Sequence, residues 1–258
     1  MRRLTNIFFW IPNFITTMNL VSGTLAAFFG IDGQLGWASV FIFAAAIFDF
    51  VDGFAARLLN SYSDLGKELD SLADLISFGL APATLVFTML ELTLFGVNRP
   101  IFEIEGTFSQ WVVLFTTLLI PIAGAFRLAK FNTDSRQTES FLGLPIPANA
   151  ILFASLGLIL EVGTKQNIVP FILNKYTLLS AIFICSFLMV SEIPMFSLKI
   201  KSFNMKENGI RLIFLTGIIL LFILLKLYAL PLIIMWYILL SVGSRYFIRR
   251  EQEPNSNK

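Results

Sequence analysis

Apolar residues run along this chain in long stretches broken by brief polar punctuation. The one-sided stripe of a soluble helix and the alternation of a half-buried strand are both absent. Eight stretches are long enough to predict spanning helices, at roughly 13–30, 33–59, 68–92, 109–130, 147–162, 170–190, 210–228 and 231–247. Lipid cannot satisfy an open backbone group, so the fold class that follows is all-α, a polytopic membrane helical bundle. One domain, 1–258, accommodates every stretch: an interfacial N-terminal segment over 1–12, where MRRLTNIFFW mixes charge with aromatics, a six-helix core over 13–190, two additional helices over 210–247, and a polar tail over 248–258.

Composition supports the membrane reading. Of 258 residues 56% are hydrophobic and 14% charged, with a mean hydropathy of +0.78; a soluble domain carries about 25% charge. If the N-terminus is cytoplasmic, fifteen of the nineteen lysines and arginines fall in cytoplasmic segments, leaving Arg99, Lys165, Lys175 and Lys226 outside. That bias would be lost with one span more or fewer. It predicts both termini on the cytoplasmic side, of a bacterial inner membrane, and no cleavable leader is expected. Glu91, Glu103 and Glu105 gather near one outer loop and read as a solvated face. The net charge of +2 marks no nucleic-acid partner.

With no histidine, Ser-His-Asp catalysis and His-ligated metal are excluded. The single cysteine, Cys185, lies in an apolar run and reads as a small buried residue. Carboxylate and hydroxyl chemistry remain, and carboxylates stand out at one place, FDFVDGFAARLLNSYSDLGKELDSLADLISFG. Asp49 and Asp52 are three apart near the end of the second span, and Asp70 and Asp74 four apart near the start of the third. Both spacings put two carboxylates on one helix face. The short link makes the helices antiparallel neighbours whose cytoplasmic ends meet. At 100° per residue, Asp49, Asp52, Gly53, Ala56 and Arg57 share roughly 140° of one helix, and Gly66, Asp70, Asp74 and Ser77 roughly 80° of the next. Glycine on such a face lets a bulky group approach the backbone, and Arg57 at its rim suits a phosphate.

One aspartate at the centre of a spanning helix costs about 2.5–3.5 kcal/mol, less near the interface, and four repel one another. Such a cluster persists only where cations neutralise it or one member is protonated. All-oxygen donors suit Mg²⁺ or Mn²⁺, and four carboxylates suffice to bridge two ions, an arrangement fitted to displacement at phosphorus. Carboxylates within spans also mark ion paths, so a divalent cation transporter is the alternative. Against it, these residues sit at one membrane edge, and no inverted repeat is evident.

The stretch matches D-x2-D-G-x2-A-R-x8-G-x3-D-x3-D at Asp49, Asp52, Gly53, Ala56, Arg57, Gly66, Asp70 and Asp74. This resembles the signature of the CDP-alcohol phosphotransferase family. The resemblance implies a binuclear metal site of two Mg²⁺ or Mn²⁺ ions held by Asp49, Asp52, Asp70 and Asp74, with Asp74 also the base that takes the acceptor's proton. It implies that Gly53 and Gly66 leave room for the CDP moiety, with Asp52, Ala56 and Arg57 beside the nucleotide and phosphates. The stretch PN-x-x-T-x-x-N, from Pro12 through Asn19, is similar to the family's first-helix segment, which would bring Asn13 and Thr16 near the donor's diphosphate. Homodimers are general in the family and are expected here.

Acceptor determinants are less defined. SFGLAPA (77–83), RLAKFN (127–132) and FLGLPIPANA (141–150) resemble segments of the family's serine-using branch, which implies CDP-diacylglycerol as donor and L-serine as acceptor. Ser77, Arg127, Lys130 and Asn132 are the candidates. Arg127 and Lys130 serve equally as a carboxylate site, as a phosphate site or as cytoplasmic anchors, so charge type leaves glycerol 3-phosphate, inositol phosphate and choline as alternatives. The branch usually has arginine where Lys130 stands, and a lysine lacks the bidentate fork.

Overall fold

The computed structural model describes residues 10–133, 141–196 and 205–252. Most of the expected N-terminal segment and tail, and the cytoplasmic cations Arg2, Arg3, Arg136, Lys199, Lys201 and Lys258, lie outside them. Eight apolar helices account for the eight expected spans: α1 (Trp10–Ile31), α2 (Leu35–Leu58), α3 (Asp64–Phe95), α4 (Phe108–Thr133), α5 (Ile146–Val162), α6 (Lys175–Val190), α7 (Met205–Leu225) and α8 (Ala229–Gln252). The chain is an integral membrane protein built as a polytopic helical bundle. The apolar stretch Gly209–Gly243 doubles back at Lys226, whose φ is +51°, so that Gly217 of α7 lies against Trp236 of α8. Helix α8 continues to Gln252, several residues into the stretch expected as tail.

Helix α3 is the centre, with two thirds of its apolar stretch buried, whereas the α7–α8 stretch is only 11% buried and mostly faces outward. Small residues set how closely the helices approach. Gly33, at φ +83°, turns α1 into α2. A methyl group on Gly23 of α1 would overlap the Ser77 hydroxyl of α3, and one on Gly30 would sit 3.1 Å from the Leu85 backbone nitrogen. Two hydroxyls exploit that closeness: Ser77 Oγ donates to the Asn19 carbonyl (3.0 Å) and Thr88 Oγ1 to the Gly30 carbonyl (2.6 Å). In lipid such bonds replace the hydrophobic effect as the association force.

The expected pairing of the second and third helices needs correction. They are antiparallel, with the end of α2 and the start of α3 at one edge of the bundle, but α1 packs against both, and α2 has few contacts with the first turns of α3. Helix α3 is also not uniform. Its turn Leu75–Leu80 is a π-helix, beginning directly after Asp74. Such bulges concentrate at functional sites.

On the far side, Glu91 is not solvated as expected. It is 1% exposed, accepting bonds from Asn98 Nδ2 (2.7 Å) and the Arg99 amide (2.6 Å), and so fixes the loop after α3. Glu103 and Glu105 are exposed. A short antiparallel pair, Phe141↔Met195 and Leu142↔Pro194, ties the start of α5 to the end of α6. Tyr237 of α8 reaches the same place, its hydroxyl donating to the Phe196 carbonyl (3.3 Å) within a cluster of Phe196, Phe214 and Tyr237.

Candidate active site

Ser63 starts α3, its hydroxyl accepting from the Gly66 amide at 2.9 Å. That cap fixes where the helix begins and brings Asp70 and Asp74, two and three turns in, opposite the end of α2. Oxygens of Asp49, Asp70 and Asp74 come within 4.8 Å of one another. Asp52 lies beside them, 5% exposed. Asp52 Oδ2 and Asp70 Oδ1 are buried without a hydrogen-bond partner. Buried carboxylate oxygens this close, with lone pairs unused, fit a hard divalent cation: the donors are all oxygen and the geometry admits more than one ligand from each helix.

Helix α1 presents a polar stripe to this cluster. Asn13, Thr16 and Asn19, three apart in sequence, are all buried. Thr16 Oγ1 donates to the Pro12 carbonyl at 3.0 Å, and the same hydroxyl faces the Asp52 carboxylate. Asn19 Nδ2 donates to Asp74 Oδ1 at 3.3 Å, while Asn19 Oδ1 is left without a partner. Asn19 had been noted only as the end of a motif, although its i+3 spacing from Thr16 puts it on the same face. Of the two glycines expected to leave room, Gly53 has open space, with nothing within 4 Å of an added methyl group. Gly66 instead packs on Asn13 Oδ1, 2.9 Å from such a methyl. Ala56 is half-buried and Arg57 exposed at the end of α2.

The acceptor candidates divide. Arg127 is 7% exposed, its guanidinium 5.8 Å from the Phe131 ring centre, in electrostatic reach of Asp74 and with Nε unpartnered. Asn132 Nδ2 donates to Ser71 Oγ at 2.9 Å, which holds the end of α4 beside α3. Lys130 points elsewhere: it is exposed, with Nζ 3.5 Å from the Val190 carbonyl at the end of α6. Ser77 is fully buried with its proton committed to α1. The helical wheel had placed Ser77 on the acidic face, but it lies inside the π turn, where the 100° step does not hold. Sequence reasoning passed over Asn149 of α5, which is fully buried with neither end of its carboxamide partnered. Its signal was an amide set in an otherwise apolar span.

Residues 9–190 match the family model for CDP-alcohol phosphatidyltransferase. The chain belongs to that family and is a CDP-alcohol phosphatidyltransferase, an enzyme of phospholipid synthesis. It is 35% identical over 202 residues to the CDP-diacylglycerol–serine O-phosphatidyltransferase of Bacillus subtilis strain 168, covering 78% of this chain and 97% of that one. It is 32% identical over 213 residues, 82% of either chain, to the enzyme of the same name from Helicobacter pylori strain 26695. It is 30% identical over 191 residues to the archaetidylserine synthase of Methanothermobacter thermautotrophicus, 72% of this chain and 69% of that one.

Proposed function

We propose that the protein transfers the phosphatidyl group of CDP-diacylglycerol to L-serine, giving phosphatidylserine and CMP. The observation that carries the chemistry is the convergence of Asp49, Asp70 and Asp74, from α2 and α3, at one end of the bundle. Asp49, Asp52, Asp70 and Asp74 would hold two divalent ions, Mg²⁺ or Mn²⁺. Bound there, such ions supply positive charge to the diphosphate and stabilise the attacking and leaving oxygens.

On this reading the donor's head group lies over Gly53 and along the Asn13–Thr16 face, with Ala56, Arg57 and Gly66 at its border, and its acyl chains stay in the bilayer. Serine's hydroxyl oxygen bonds to the phosphorus that carries the diacylglycerol, the bond from that phosphorus to the CMP oxygen breaks, and CMP leaves. Asp74 takes the hydroxyl proton. Its bond from Asn19 fixes the carboxylate's orientation. Arg127 is the one acceptor candidate that offers a buried cation, since Lys130 is exposed at α6. A single guanidinium matches one carboxylate, and a dianionic phosphate would call for more. This favours serine over glycerol 3-phosphate or inositol phosphate, and the printed names of the relatives support the same choice. We place the site and both termini on the cytoplasmic side of a bacterial inner membrane, from the bias of basic residues, and expect a homodimer.

The test is product analysis on purified protein. CDP-diacylglycerol with labelled serine should give labelled lipid and CMP in equal amounts, lost on chelation and restored by Mg²⁺ or Mn²⁺. Faster turnover of glycerol 3-phosphate, inositol phosphate or choline in a parallel panel would overturn the acceptor assignment.

A further inference from the structure

We infer that Asn149 is an acceptor-binding residue that takes the ammonium group of the amino-acid substrate. The inference rests on the proposed amino-acid acceptor and adds Asn149 to the residues expected to hold it.

Asn149 is completely inaccessible, and its Nδ2 and Oδ1 both lack a partner among the described residues. A carboxamide inside a membrane helix has four hydrogen-bonding positions to satisfy, and burial with none satisfied persists only where something else supplies them. Arg127 Nε is likewise buried without a partner among the described residues.

Two packing contacts bring these groups to the acidic cluster. A methyl group on Gly124 of α4 would sit 3.7 Å from Ile146 Cδ1 of α5, 3.9 Å from Gly79 Cα and 4.0 Å from Leu75 Cδ1 of α3. Arg127 is one turn from Gly124, Asn149 one turn from Ile146, and Asp74 adjoins Leu75. The second contact fixes depth. Helices α2 and α5 run antiparallel, with Gly36 against Glu161 and Gly157 against Ser39 and Leu35. Carried along both helices, that register sets Asn149 opposite residues 43–48 of α2, the stretch just before Asp49. Asp74, Arg127 and Asn149 therefore come from three helices to adjoining levels of the bundle, Arg127 one turn nearer the edge than the Gly124–Ile146 contact and Asn149 one turn deeper.

Their chemistry is complementary to an α-amino acid. Arg127 supplies a cation for the carboxylate, Asn149 Oδ1 an acceptor for the ammonium N–H groups, and Asp74 an acceptor for the hydroxyl proton. Three different contacts around one carbon also distinguish its two hands. A neutral carboxamide receives an ammonium without adding another negative charge to the aspartates, which a fifth carboxylate would do. Choline has no N–H to offer and no carboxylate.

The experiment uses full-length Asn149→Leu and Asn149→Ala in detergent micelles or nanodiscs. Apparent KM is measured for L-serine and for CDP-diacylglycerol, with the L- over D-serine rate ratio and Tm as further readouts. The expected result is a rise of tenfold or more in the serine KM, an unchanged CDP-diacylglycerol KM, a fall in the L/D ratio, and a Tm equal to or above that of the unaltered protein. A serine KM and L/D ratio that stay at their original values in either folded variant overturn the inference and leave Asn149 a residue satisfied by water. If neither variant folds, loss of L-serine protection against heating in Asn149→Gln, with CDP-diacylglycerol protection retained, supports it, and retained serine protection overturns it. Failure of the underlying reading is distinct, because there the unaltered protein itself does not use serine.

Discussion

The donor edge and the acceptor chamber meet at Asp74, yet they are built in opposite ways. The donor edge is local: its four aspartates come from 26 consecutive residues, 49–74, on two helices joined by a short link. The proposed acceptor region instead draws Arg127 from α4 and Asn149 from α5. The edge holds crowded negative charge with oxygens unused, and the chamber one buried cation and one unused carboxamide. The edge is thus suited to cations and a diphosphate, chemistry any member of the family needs. The chamber is suited to one particular small molecule. Variants of the edge should stop turnover with every acceptor, and variants of the chamber should change which acceptor is used.

The largest effect is expected at the shared residue. Asp74→Asn keeps the size and the contact with Asn19 but removes the base. Turnover should fall by about 10²–10⁴, with CDP-diacylglycerol still able to raise Tm. CMP release within a few-fold of normal would end the assignment of Asp74 as base. Asp49→Asn and Asp70→Asn should be nearly as damaging, with a difference: their loss should raise the concentration of Mg²⁺ or Mn²⁺ needed for half-maximal rate. An unchanged metal requirement in both would detach the cluster from metal binding.

Arg127→Gln tests the other side of the comparison. Removing a hydrogen bond to a charged group is worth about 1.5–3 kcal/mol, or roughly 10–150-fold in serine KM, with little change in the CDP-diacylglycerol KM. Arg127→Lys should recover part of the loss, because it restores charge without the fork. If Arg127→Gln instead raised both KM values equally, the residue would belong to the donor edge, and the division drawn here would fail.

The two regions differed as much in how readable they were. Eight spans and the aspartate face could be read from the sequence because both depend on spacing within one or two helices. Three features could not. The position of α1 between α2 and α3 depends on how closely Gly23 and Gly30 let α3 approach, and a short link alone suggested direct pairing. The π turn at Leu75–Leu80 has no periodic signature, so the wheel did not show that Ser77 is fully buried against Asn19 and Gly23. Glu91 looked like part of an acidic surface because its partners, Asn98 and the Arg99 amide, come from a loop whose path the sequence does not specify. Arg127 and Lys130 looked equivalent for a similar reason. They are three residues apart on one helix, and only the packing of α6 decides that one turns outward and the other inward.

Ser77→Ala gives the smallest expected effect and separates a tie between helices from a substrate contact. The hydroxyl is fully buried, donates to the Asn19 carbonyl and lies against Gly23. Removing it forfeits one neutral hydrogen bond, about 1 kcal/mol, and leaves space too small for rearrangement. Tm should fall by a few degrees and the serine KM should not move. Asn19 complicates the outcome, since its backbone accepts from Ser77 while its side chain holds Asp74. A slackened α1–α3 contact therefore reaches the base, and kcat should drop modestly with both KM values steady. A selective rise in serine KM would return Ser77 to the acceptor chamber and show that the π turn presents it to substrate.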